Sequence, residues 1–198
     1  LMNYVGMDKV HIDNDRVETD RTGIVFDFNA IAQGYTVDLL AEFLDGKGVS
    51  DYLVEVGGEL RAKGVNLEGR VWRVGIDKPT KERGEDPFQA IVALPGKSLA
   101  TSGNYRKFRV DEATGQKYVH TVDPTTGYTV QQNLLSVTVV ADEAMVADGY
   151  ATAFMVMGLS PSIELVETRD DLDAMFVYSN DKGEWELYQS KGFENLLR

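Results

Sequence analysis

The stretch from Leu135 to Gly158 constrains the fold more than any other part of the chain. Apolar and β-branched residues dominate Leu135 to Val140, which reads as a buried strand rather than a half-exposed one. Two residues later Glu143 to Met157 reads as a long apolar helix, with Asp142 placed to cap it and Gly158 to stop it. A strand and a helix this apolar cannot both stay in water. They require a sheet with helices packed on it. The longest apolar tract, Tyr150 to Leu159, falls short of the roughly 18 residues of a membrane span and contains Thr152 and Gly158.

The remaining pattern fits the same architecture. Lys9 to Ile12 and Ile24 to Phe28 read as short strands. Asn29 is placed to cap a helix from Ile31 to Asp45, with Val37, Leu40, Ala41 and Leu44 on one face and Gly46 as its stop. Tyr52 to Val56, Glu59 to Lys63, Trp72 to Ile76 and Phe88 to Leu94 follow as strands, with a polar surface loop between the last two. Leu99 to Gly103 reads as a turn of small residues. Tyr105 to Val110 and Lys117 to Val122 form a hairpin across Asp111 to Gly115. Pro161 opens a further helix, and Ala174 to Tyr178 pairs with Glu184 to Gln189. Strands and helices alternate without regular parallel units, which predicts an α+β fold with helices on mixed β-sheets, in one domain over residues 1–198.

Composition narrows the chemistry. With 198 residues, 43% of them apolar, the chain can bury a core of its own. A net charge of −12 argues against nucleic acid, because displacing counterions from phosphates takes a basic stripe. A phosphorylated small ligand would instead need a divalent cation or backbone N–H groups to offset its charge. The absence of cysteine excludes disulfides, thiolate metal sites and cysteine nucleophiles, and two histidines, His11 and His120, make a polyhistidine zinc site improbable.

Five local features could carry chemistry, and each has an ordinary structural reading beside the functional one. Asp27-Phe28-Asn29-Ala30-Ile31-Ala32-Gln33-Gly34-Tyr35 enters a helix, whose free N–H groups and positive dipole end suit a diphosphate; it also reads as a plain cap with a glycine for close packing. Val56-Gly57-Gly58-Glu59 brings main chain against a planar ligand, or is a bulge. Thr101-Ser102-Gly103-Asn104-Tyr105 lines a pocket, or is a common turn. His120-Thr121-Val122-Asp123-Pro124-Thr125-Thr126-Gly127 offers a general base at a strand end, or a structural histidine. Asp148 and Thr152 lie four apart on one helix, so carboxylate and hydroxyl reach one hard cation, or form a solvated face.

In this order, the five blocks resemble the ApbE family of FAD:protein FMN transferases from about Val25 to beyond Gly158. The family pattern runs from an Asp followed by Ala-Lys-Gly-Tyr, through Gly-Gly-Asp or Gly-Gly-Glu, Ala-Thr-Ser-Gly and His-x-x-Asp-Pro-x-Thr-Gly, to Ala-Asp-x-x-x-Thr. The resemblance implies a T-fold-like α+β architecture and transfer of FMN from FAD to a Thr or Ser hydroxyl of an acceptor protein, with release of AMP. It implies Mg²⁺ held by the Ala30 carbonyl, Asp148 and Thr152. It also implies FAD contacts from Asp27, Asn29, Gln33, Ser102 and Thr121, and His120 as the catalytic base. Gln33 stands where the family usually has lysine, which replaces an ion pair by a neutral hydrogen bond.

Family members carry a substantial N-terminal segment before the first block that forms part of the wall around flavin and adenine. This chain is therefore expected to be a C-terminal portion that binds FAD poorly by itself. Family analogy points to a bacterial protein in the periplasm or at the outer face of the cytoplasmic membrane, acting on a flavoprotein subunit of a membrane redox complex. Two other functions share the same residues: an Mg²⁺-dependent FAD pyrophosphatase that gives FMN and AMP, and a non-catalytic FAD carrier.

Overall fold

The computed structural model describes residues 2–79, 87–103, 108–110, 117–119, 122–129 and 133–197. In chain order its elements are β1 (Val10–Asp13), β2 (Arg16–Thr19), α1 (Ala32–Gly46), β3 (Tyr52–Val56), β4 (Glu59–Lys63), β5 (Arg73–Asp77) and β6 (Phe88–Ala93). They continue with β7 (Ser98–Gly103), β8 (Phe108–Val110), β9 (Lys117–Val119), β10 (Leu134–Ala141), α2 (Ala144–Met157), α3 (Leu159–Val166), β11 (Asp173–Ser179), β12 (Trp185–Gln189) and α4 (Lys191–Leu196).

Six strands form the central sheet in the order β12-β11-β10-β7-β4-β3. The α+β class matches the sequence reading, but every ladder among the described strands is antiparallel, so the expected mixing of strand directions is not seen. The middle of the sheet is buried on both faces, which is why β10 shows no exposed side, its polar Ser136 and Thr138 included. On one face α2 packs Ala147, Ala151 and Phe154 against Val137, Val139 and Phe176. On the other, the β5–β6 hairpin and α4 cover Leu99, Val140 and Met175 with Ile76, Val92 and Phe193. A run of rings, Tyr150, Phe154, Phe176 and Tyr188, crosses the helix face with centroids 5.6, 5.5 and 6.0 Å apart.

Several local expectations are corrected. Leu99 to Gly103 is not a turn but most of β7, paired to β10 over its whole length; its small residues let α2 approach the sheet closely. Ile24 to Phe28 forms no strand. Instead Arg16 to Thr19 pairs with β1 across Asn14 and Asp15, both at positive φ, which Asn and Asp tolerate better than other non-glycine residues. Asn29 does not cap α1, whose N-cap position is Ile31 without a side-chain cap. On α1 Val37 and Ala41 are buried, whereas Leu40 is exposed.

Candidate active site

The site is built where the start of α1 crosses α2. A Cβ on Gly34 would collide with the Ala144 carbonyl oxygen and lie 2.6 Å from its carbon and 2.7 Å from the Met145 Cα, so only glycine allows this approach. At that distance the Gly34 N–H donates to Asp148 Oδ2 at 3.0 Å. The sequence expectation that Asp142 caps α2 is not met: its carboxylate pairs with Lys97 at 2.6 Å. The cap comes from α1. Asp38 Oδ1 accepts the Ala144 N–H at 2.9 Å and Oδ2 the Met145 N–H at 2.8 Å, while Arg61 Nη1 donates to Oδ1 at 2.8 Å. A carboxylate from outside the helix thus satisfies two unpaired N–H groups at its positive end. A cap from a distant element leaves no mark in local sequence, so pattern reading misses it.

Strand alternation supplies the other wall. Gly57 and Gly58, both at positive φ, form a two-residue turn between Val56 and Glu59, which are paired partners, so the expected bulge is a tight hairpin. Gln33 lies over this turn, its amide nitrogen occupying the space a Gly57 Cβ would need. In β4 Glu59 and Arg61 share the face toward α1 and α2, opposite Leu60 and Ala62. Glu59 is 7% exposed, and its Oε2 has no hydrogen-bond partner among the described residues. Burial, then the charges of Asp148 and Glu55, push its carboxyl up to about 7. Asp148 is 5% exposed, and burial raises its carboxyl, opposed by the Gly34 N–H. In β7 Ser102 Oγ lies 3.3 Å from Thr152 Oγ1, one helical turn beyond Asp148.

The first block meets the last through Ile31, whose Cγ2 lies 3.2 Å from where a Gly149 Cβ would stand, so half-buried Ala30 is carried to the same end of α2. Asp27 is exposed and folds its Oδ1 back onto the Asn29 N–H at 2.8 Å; exposed Asn29 sits in that turn. Asp27 also lines a largely apolar cavity of about 1040 Å³ together with Pro124 and Thr125, which brings the first block beside the Asp-Pro-Thr turn. In that turn Asp123 accepts the Thr125 N–H and hydroxyl at 2.8 and 2.7 Å and the Thr126 hydroxyl at 3.1 Å. His120 and Thr121 lie outside the described residues. Of the expected residues, Gln33, Ser102, Asp148 and Thr152 thus gather where α1 starts against α2, β4 and β7, and Ala30 directly precedes Ile31, which touches α2 at Gly149. Glu59 is the member that the sequence reading passed over, although it closes the Gly-Gly-Glu block. The signal in sequence was slight: a charge at an alternating strand position right after Gly57-Gly58, with Arg61 on the same face looking equivalent to it.

A family model described as the ApbE family matches residues 1–176. This chain belongs to the ApbE family. It is 36% identical over 184 residues to the FAD:protein FMN transferase of Haemophilus influenzae, covering 91% of this chain and 52% of that protein. It is 35% identical over 192 residues to that of Vibrio cholerae, covering 97% and 56%. Among solved structures it resembles the flavin transferase ApbE from Vibrio cholerae with a TM-score of 0.85 at 33% identity, over 99% of this chain and 60% of that one. It resembles the apo flavinyl transferase ApbE of Pseudomonas stutzeri with a TM-score of 0.84 at 36% identity, over 98% and 58%. The chain spans about half the length of the curated relatives it matches.

The side chains gathered here are hard oxygen donors. No group of three or more His, Cys, Asp or Glu side chains gathers as a metal cluster among the described residues, so an all-carboxylate cage is not on offer. What is present is one buried carboxylate, Asp148, held by a single backbone N–H, with the Thr152 hydroxyl a turn away, and a second buried carboxylate, Glu59, whose Oε2 is unpartnered among the described residues. Oxygen donors of low total charge, leaving room for phosphate and water, fit Mg²⁺.

Proposed function

We propose that this chain transfers FMN from FAD to a Thr or Ser hydroxyl of an acceptor protein and releases AMP; the relatives it matches are named FAD:protein FMN transferases. The supporting observation is the convergence of Gly34, Asp148, Thr152 and Ser102 where α1 begins. The first turn of α1 directs N–H groups and its positive dipole end toward this point, which suits a diphosphate. Asp148, Thr152 and the Ala30 carbonyl would hold Mg²⁺ there. When bound, that ion supplies neutralisation of the diphosphate and of the phosphate that departs with AMP. An acidic chain can so accept an anionic substrate without a basic field.

Gln33, held over the Gly57 turn, offers a neutral hydrogen bond to the nucleotide, and Asp27, Asn29, Ser102 and Thr121 complete its contacts. The acceptor hydroxyl oxygen attacks the FMN-side phosphorus, the bond from that phosphorus to the AMP phosphate oxygen breaks, and His120 takes the hydroxyl proton. The flavin ring changes no oxidation state. We assign the protein to the periplasmic side of a bacterial membrane, with a redox-complex subunit as acceptor. No helix among the described residues is long and apolar enough to cross a membrane.

Mass spectrometry of an acceptor incubated with FAD, Mg²⁺ and the protein tests this. The acceptor gains one FMN unit with the native protein, and neither Asp148→Ala nor His120→Ala produces the adduct. AMP without adduct would replace transfer by pyrophosphatase activity. FAD binding unchanged by His120→Ala, with neither AMP nor adduct from the native protein, would leave a carrier.

A further inference from the structure

Glu59 is the buried group that the proposed reaction leaves unused. It opens β4 directly after the Gly57–Gly58 turn and is more than nine-tenths buried, yet its Oε2 meets no donor among the described residues. Arg61, two residues on and facing the same way, has Asp38 to balance it; Glu59 Oε2 has no partner among the described residues, and Asp148 is held by the N–H of Gly34, the residue after Gln33. The Gln33 amide lies beside it: both the amide nitrogen and Glu59 Oε2, the latter at 3.5 Å, border the space where a Gly57 Cβ would stand, but no hydrogen bond joins them. Leaving a carboxylate oxygen dry and unpaired is costly, and the charge of a second buried carboxylate, Asp148, adds to the cost. A divalent ion that both carboxylates reach removes both penalties at once, and Mg²⁺ is commonly bound through one or two carboxylates.

We propose that Glu59 is part of the cation site and that, with Asp148, it lets the protein take up a hard divalent cation before any nucleotide arrives. The inference rests on the reading of Asp148 as a cation ligand. Metal uptake then precedes FAD, and the diphosphate enters a site already neutralised. In the family reading the cation is held by a carbonyl, one carboxylate and one hydroxyl, with phosphate oxygens supplying the rest; a second protein carboxylate makes binding independent of those phosphates.

Titration with Mn²⁺ in the absence of FAD, followed by electron paramagnetic resonance of free and bound ion and by calorimetry, reads the proposal directly. The native protein should bind one ion. Glu59→Gln should bind it at least tenfold more weakly, Asp148→Ala likewise, and Glu59→Asp, which keeps the charge, should bind more tightly than Glu59→Gln. Metal-free Glu59→Gln should melt no lower than the native protein, because a buried charge with no partner at Oε2 is gone. If Glu59→Gln binds as the native protein does while Asp148→Ala does not, the proposal falls and the assignment of Asp148 stands. If Asp148→Ala also binds normally, the assignment of Asp148 falls with it. A native protein that binds no Mn²⁺ until FAD is added overturns the proposal as well. Should Glu59→Gln fail to fold, Glu59→Asp binding weaker than that of the native protein but tighter than that of Asp148→Ala supports the proposal, and native-level binding by Glu59→Ala defeats it.

Discussion

Replacing Gly34 by alanine should damage fold and site together, since one methyl group is placed against backbone that cannot rotate away. The new Cβ would stand 2.6 Å from the Ala144 carbonyl carbon and 2.7 Å from the Met145 Cα, and closer still to the carbonyl oxygen. Carbon atoms pack at about 3.5–4.0 Å, so α1 and α2 must separate by about 1 Å. Overpacking of this kind costs about 1–3 kcal/mol. The separation also stretches the 3.0 Å bond from Gly34 N–H to Asp148 and the two bonds of 2.9 and 2.8 Å that Asp38 makes to α2. Losing one hydrogen bond to a charged group adds about 1.5–3 kcal/mol, for a total of about 2.5–6 kcal/mol. For a domain of this size that is a fall in Tm of about 10 °C. Urea denaturation, read together with thermal melting, measures it, and Gly46→Ala is the control in the same helix. No atom lies within 4 Å of the Gly46 Cβ position and its φ is not positive, so alanine there should be neutral or stabilising by up to about 1 kcal/mol. Equal stability of Gly34→Ala and the native protein, within about 0.5 kcal/mol, would refute the close approach.

Asp38→Ala should cost about 3 kcal/mol in denaturant titration, because it uncaps α2 and strands the half-buried Arg61, whereas Asp38→Asn, which keeps an acceptor, should lose less. Thr152→Val preserves shape and should leave stability nearly unchanged while weakening Mn²⁺ binding, since it removes only the hydroxyl beside Ser102; unaltered binding would remove Thr152 from the cation site. Hydrogen bonds from Thr125, then Thr126, hold the Asp123 carboxyl below its usual value of 3.8. Its folded pKa is thus depressed, so its contribution to the turn is present above pH 3.8 and lost as pH falls through the lower folded value. The Thr125 amide resonance should report that midpoint, and a midpoint at or above 3.8 would contradict the hydrogen bonding.

The parts of the fold legible in sequence are those whose cause is local. The apolar run of β10, the stop at Gly158 and the Asn180–Gly183 hairpin between β11 and β12 depend on periodicity and turn chemistry, and each is found within a residue or two of expectation. What failed depended on neighbours distant in sequence. Leu99 to Gly103 has the small residues of a turn, but β10 on one side, with β4 beside its first residues, makes it a strand. Asp142 and Asn29 both stand where a cap belongs, yet Lys97 draws the first away and Asp27 folds the chain before the second can act. The same distinction divides the site. Asp148 and Thr152 could be paired from helical spacing alone, whereas the role of Gly34 required knowing that Ala144 lies against it.

Glu59 shows why a burial pattern without partners is a weak guide and with partners a strong one. On β4 the two charged residues facing the helices look equivalent in sequence, one acidic and one basic two positions apart, and the simplest inference would pair them with each other or leave both in solvent. The fold does neither. Asp38, a residue of α1, is already committed to the start of α2 and takes Arg61 as its third partner, which closes the positive side of the balance. The acidic side stays open, with Glu59 and Asp148 both at low exposure and the charge of Asp148 pushing the Glu59 carboxyl up. Native proteins rarely leave a buried carboxylate oxygen without a donor, and where they do the missing partner is often a water, an ion or a ligand. Here the second carboxylate, Asp148, stands at helical spacing from the Thr152 hydroxyl on α2. Charge balance therefore points to a cation at the position that motif spacing reached independently.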